Sequence, residues 1–196
     1  MVKRDDESAA SRKHVTPDEV KRLRDTVRKG RHGHRDETMI YMGYRHGFRC
    51  GELVRLKWNQ ILWDERDIQI LRLKHGSELP NRDTHPLDAW ELKALRAIQK
   101  SAKTDKGWIF RSERKDDRNH GRITERGFFQ IIARAAVKAG FDFPVHPHML
   151  RHGCGYRLND MGRNMRSIQA WLGHRDISSS QMYCAMAADY FRREGF

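Results

Sequence analysis

The chain has 196 residues, with 39 Lys and Arg against 26 Asp and Glu, giving a formal charge of +13 and a pI near 10.0. That length suits one domain with an ordinary core, and the charge points to a polyanionic partner, with a solvated cationic surface as the alternative. No apolar run approaches the roughly 18 residues of a membrane span, and Cys50, Cys154 and Cys184 lie far apart without a CxxC pair, which argues against a disulfide framework or a cysteine zinc site.

The first 15 residues are polar and of mixed charge and read as a flexible extension, leaving 16–196 as the folded domain. The start lacks the apolar stretch of a secretory signal, so a cytoplasmic, nucleoid-associated location is expected. Thr16-Pro17-Asp18-Glu19 combines an N-cap, a proline at the first helical position and a capping-box glutamate, predicting a helix to about Arg28. Lys29 to Arg35 is a glycine-broken basic loop in which Arg31 and Arg35 are candidate phosphate contacts. Helices are predicted from about Asp36 to His46 and from Cys50 to Trp58. Ile68, Ile70 and Leu71 to Leu73 alternate as a strand, His75-Gly76 would turn it, and Thr84 to Leu87 would return.

Asp88 with Glu91 caps a helix to about Ala102, striped by Trp90, Leu92, Leu95 and Ile98. Trp108 to Phe110 is short and buried, and Arg111 to Arg122 reads as a polar excursion. Thr124 caps a helix that Gly140 closes. Pro147 starts one that Gly162 stops, Asn164 caps one that Gly173 stops, and Ser178 to about Ala188 is a third. The expected class is a mostly helical α/β domain with one small antiparallel sheet.

The chemistry concentrates near the end. In His146-Pro-His-Met-Leu-Arg-His152, positions 148, 151 and 152 share a helix face near an N-terminus, where backbone N–H groups favour an anion. Arg151 offers a planar fork that matches two phosphate oxygens. Arg49 offers a second, with Glu52 one turn on as an orienter. His174 follows Gly173 at a helix-ending turn, so its ring is expected to point outward. Tyr183 comes nine residues later. A free phenol has a pKa of about 10, and nearby guanidinium groups with an adjacent imidazole favour its ionisation. Stabilising charge on a transferring phosphoryl group is the main catalytic term such a set supplies, and it calls for no metal or other cofactor.

These residues resemble the catalytic domain of the tyrosine recombinases, the lambda-integrase family. The run His146 to His152 with Gly155-Tyr156, then Trp171-Leu-Gly-His174-Arg175 and Tyr183, is especially similar to the short inverting recombinases of fimbrial phase variation. The resemblance covers about Thr16 to the end and implies a site-specific recombinase catalytic domain, the DNA breaking-rejoining enzyme fold. It implies that Arg49 and Arg151 clamp the scissile phosphate, His148 accepts the nucleophile's proton, and His174 donates to a nonbridging oxygen. Tyr183 would attack to leave a 3′-phosphotyrosine and a free 5′-hydroxyl, with Lys74 protonating the leaving oxygen from a β-turn. His152 is expected to support the set, and Arg175 to contact DNA. The segment from Ser77 to Asp83 is longer than the family turn, and Gly51 stands where the family often has serine.

The resemblance also implies double-stranded DNA as partner and a homotetramer on two DNA sites, with a monomer as the candidate state in free solution and accessory DNA-bending proteins as candidate further partners. The outcome would be inversion, integration or excision. Weighed against it are a noncatalytic DNA-binding regulator on the same scaffold and a type IB topoisomerase-like enzyme. Tyr190 is a rival nucleophile at the wrong spacing, and a metal held by His146, His148, His152 and Cys154 lacks a recognised ligand spacing.

Overall fold

Helices begin where the chain offers side-chain acceptors to otherwise unpaired backbone N–H groups. In the computed structural model, which describes residues 12–72, 82–113, 121–174, 180 and 183, Thr16 accepts from the Glu19 amide and Glu19 returns a bond to Thr16. This box opens α1 (Pro17–Arg28). Helix α2 (Gly33–His46) ends at Gly47 in the left-handed conformation. It begins three residues before the expected Asp36, because the Asp36 amide bonds the His32 carbonyl and the Thr38 hydroxyl bonds that of His34. Arg35 therefore lies in a helix, not a loop.

Helix α3 (Cys50–Val54) is shorter than the sequence suggests. The backbone of Leu56 and Trp58 pairs with Ile109 and Gly107 instead of continuing the helix, and a 3-10 turn follows at Trp58–Gln60. Three antiparallel strands come next, β1 (Ile61–Leu62), β2 (Asp67–Leu71) and β3 (Arg82–Pro86), in that spatial order. The two-residue β1 is too short for its alternation to be read from sequence. Ile68 pairs with Ile61 on one side and His85 on the other. Ile68 and Ile70 face the core while Leu71 is exposed, as period-2 geometry requires.

Asp88 and Glu91 form the expected box at α4 (Ala89–Ala102). Thr124 caps α5 (Glu125–Lys138), Pro147 starts α6 (Pro147–Asp160), and Asn164 caps α7 (Met165–Leu172). Ser180 and Tyr183 lie in helical backbone. The rest of the expected third C-terminal helix lies outside the described residues.

Helix α2 runs through the core, packed by α1, α4 and α6. Met39, Ile40 and Met42 are fully buried there, with Leu23, Leu53, Ile70, Leu95 and Phe128 around them. Each such side chain stabilises by roughly 1.5–3 kcal/mol relative to exposure. A smaller cluster joins Cys154, Ile168, Leu172 and Tyr183. Residues 12–15, expected to belong to the extension, are packed: Val15 is buried, Arg12 pairs with Glu19, and the His14 ring sits 4.1 Å from Tyr156. The packed part therefore starts no later than Arg12.

Candidate active site

The last turn of α7 gathers the site. A helix C-terminus leaves carbonyls without intrahelical partners and carries partial negative charge, which attracts cations. Three successive carbonyls here each accept from a different guanidinium. Trp171 accepts from Arg72 at 2.8 Å, Leu172 from Arg151 at 2.8 Å, and Gly173 from Arg49 at 3.2 Å. Arg49 precedes α3, Arg72 follows β2 and Arg151 lies in α6, so residues more than a hundred positions apart meet at one helix end.

Each arginine has further fixed partners. Arg151 is buried and also donates to the Gly47 carbonyl, tying α6 to the turn before Arg49. Arg49 is one-third exposed and donates from Nη1 to Glu52 at 3.0 Å. Glu52 is buried and also accepts from the Arg49 amide and from Nη1 of Arg72. Burial and the neighbouring Arg49 push Arg151 down to about 10, with Glu52 opposing. A bound anion would relieve that strain on the cations.

Tyr183 is fully buried beside them. Its ring lies over α6 at Gly155, where an added Cβ would come within 2.4 Å of the phenol ring. Tyr156 meets it edge-on at 5.1 Å, and His174 stacks nearly parallel at 6.3 Å. The Tyr183 hydroxyl sits 3.1 Å from Nδ1 of His152. Burial raises the phenol to about 12, against the pull of Arg151.

His174 is half-buried and bonded through Nδ1 to the Ser180 hydroxyl at 2.9 Å, rather than pointing outward. Burial, then Arg151 and Arg49, lower His174 to about 4; burial, then His148 and Arg151, lower His152 to about 4. Both imidazoles are therefore neutral near pH 7, and each is a weaker base than a free imidazole.

His148 is exposed at the start of α6, its ring 6.5 Å from that of His152. The imidazole in bonding reach of Tyr183 in this state is His152. Arg31 is exposed and pairs with Glu113, while Arg35 pairs with Asp36 and donates to the Arg111 carbonyl. Lys74, Arg175 and Tyr190 lie outside the described residues.

Sequence reading missed Arg72, Ser180 and the seat that Gly155 provides. Arg72 did leave a signal. It continues the alternation of Ile68 and Ile70, so a charged side chain falls on the core face of β2.

A family model described as the phage integrase family matches residues 13–189. Type 1 fimbriae regulatory protein FimE of Escherichia coli K12 is 35% identical over 186 residues, covering 93% of this chain and 90% of the relative. FimB of the same strain is 34% identical over 184 residues, covering 92% and 88%. Among solved structures, XerA recombinase superposes with a TM-score of 0.75 at 22% identity, over 93% of this chain and 65% of that one. XerH site-specific recombinase bound to its difH substrate gives a TM-score of 0.72 at 16% identity, over 89% and 50%. The chain thus spans about two thirds and one half of those two structures, a likeness that concerns the fold. With the matched model covering nearly its whole length, the chain belongs to the phage integrase family, the tyrosine recombinases.

Proposed function

We propose that this chain is a site-specific DNA recombinase that cuts and rejoins duplex strands through Tyr183. The observation that carries the reading is the convergence of Arg49, Arg151, His152, His174 and Tyr183 around the last turn of α7. In the reaction the Tyr183 oxygen attacks phosphorus while the bond to the 5′-oxygen breaks. The phenol proton passes to an imidazole, with His148 assigned by the family pattern and His152 closer in this state. Lys74 is assigned to protonate the leaving oxygen. Arg49 and Arg151 hold the nonbridging oxygens, and His174 donates to one of them once it carries a proton. Attack by a 5′-hydroxyl on the phosphotyrosine reverses these steps. Each step exchanges one phosphoester for another, so no external energy source is needed.

The same reading takes duplex DNA as substrate, bound partly through the basic surface and Arg31, Arg35 and Arg175. It has four protomers acting on two sites at the nucleoid, with DNA-bending proteins assisting. Inversion is favoured over integration or excision by likeness to the fimbrial regulatory proteins.

A second reading, a DNA-binding regulator without cleavage, is favoured by one fact: Tyr183 is fully buried. A pool of nicked duplexes with randomised arms separates the two. The nick lets the cut fragment diffuse away, so protein-linked DNA accumulates and survives denaturation. The recombinase reading expects an enriched linked sequence with wild type and none with Tyr183→Phe. Binding with no linked DNA from wild type would leave the regulator.

A further inference from the structure

We infer that Arg72 is a positioning residue for this reaction: it fixes Arg49 relative to the turn that bears His174 by gripping Glu52 and the Trp171 carbonyl together. The inference rests on the recombinase reading above. Arg72 has 3% of its side chain exposed, so it acts from behind the site and does not reach DNA.

Its donors are nearly all assigned. Nε donates to Asp83, Nη1 to Glu52 at 3.1 Å, and Nη2 both to the Trp171 carbonyl and to Nε2 of His85 at 3.1 Å. Guanidinium has no lone pair to offer, so His85 must accept at Nε2 and carry its proton on Nδ1. One planar group thus joins β3, α3 and the end of α7 with little freedom left. Gly173 records how tight the fit is, since an added Cβ would lie 2.6 Å from Nε of Arg72. It also has a left-handed φ of 64°, so two constraints coincide there.

The consequence for Arg49 is direct. Glu52 Oε2 accepts from both Arg72 and the Arg49 amide, while Oε1 holds the Arg49 guanidinium. Without Arg72, Glu52 loses one of its two cations, and the Trp171 carbonyl is left without that donor. Both ends of the Arg49 link, Glu52 and the Gly173 carbonyl, then shift. A displacement of about 1 Å in a reacting arrangement costs on the order of a hundredfold in rate.

The test uses the full chain and the nicked duplex enriched from the randomised pool. Single-turnover formation of linked DNA is measured at saturating protein, beside DNA affinity and thermal unfolding. Arg72→Met should slow linkage by on the order of a hundredfold with affinity unchanged, and Arg72→Lys should fall between it and wild type. Decisive is the double variant with Arg49→Lys. If Arg72 acts through Arg49, adding Arg72→Met to Arg49→Lys slows linkage little further. Two losses that multiply would mean an independent structural role and overturn the inference, as would an Arg72→Met protein as fast as wild type. If Arg72→Met does not fold, Asp83→Asn, which loosens only Nε at a partly exposed carboxylate, takes its place with the same criterion. No linked DNA from wild type would remove the recombinase reading and the role of Arg72 with it, an outcome distinguished by the silence of the parent protein.

Discussion

The Tyr183 hydroxyl and Nδ1 of His152 lie 3.1 Å apart, each nitrogen and oxygen belonging to a side chain whose charged form burial disfavours. The pair is neutral: a protonated phenol beside an unprotonated imidazole, with burial opposing proton transfer from one to the other. The site therefore holds the Tyr183 hydroxyl in a hydrogen bond, out of solvent. Replacing His152 with Leu should slow formation of linked DNA by about a hundredfold if it takes the proton, and much less if it only seats the ring. Comparing linkage rates across pH for both proteins checks this, since the wild-type profile should lose an inflection in the variant.

Gly155 makes the seat. Gly155→Ala puts a methyl group into the Tyr183 ring, 2.4 Å from its Cζ. Either the helix or the tyrosine must move, at a cost of about 1–3 kcal/mol for overpacking. Urea unfolding should show that loss in wild type. In a Tyr183→Ala background the same change should cost far less, because the obstructing ring is gone.

Arg151 should differ from Arg49 in how its loss is felt. Arg151→Ala leaves the Gly47 and Leu172 carbonyls without their buried donor, so it should lower stability by roughly 1–3 kcal/mol per unsatisfied group. It should also reduce linkage by at least about a hundredfold. Arg49 is one-third exposed, so Arg49→Ala should give a comparable catalytic loss with a smaller shift in unfolding.

Acid should destabilise the fold before it protonates the carboxylates. His85, His152 and His174 are held below the ordinary 6.5, to about 2, 4 and 4, with burial as the main cause. A depressed folded pKa means the unfolded chain takes protons first. Stability is then complete above about 6.5 and falls progressively toward pH 4. Denaturant midpoints at pH 7.5, 6 and 5 should decline in that order. His174→Gln should flatten part of the decline.

With a formal charge of +13, affinity for duplex DNA should fall steeply with salt. Neutralising 6–10 phosphates predicts a loss of about 10³- to 10⁵-fold between roughly 50 and 200 mM salt. Fluorescence anisotropy on a short duplex measures the slope. A flat response would argue against phosphate contacts as the main source of binding.

Much of the fold was legible because local rules and tertiary packing agree. Thr16 with Glu19 and Asp88 with Glu91 cap helices where the side-chain chemistry says they must. Where they disagree, long-range pairing prevails: residues 56–58 leave their helix to bond residues 107–109. At the site, the spacing of Arg49 and Glu52 within one turn announces their contact, which is local. That three arginines would share three successive carbonyls is a property of the assembled fold, and no window of sequence contains it. The Tyr183 seat is likewise nonlocal, since the space at Gly155 has meaning only once the ring is placed there.

Recombination through Tyr183 requires a covalent bond between DNA and that one phenol. The most direct measurement is mass spectrometry of the peptide that remains attached to DNA after digestion of the linked complex. A nucleotide joined through its 3′-phosphate to the Tyr183 oxygen is the expected product. Attachment at Tyr190, at a serine, or at no residue would contradict it.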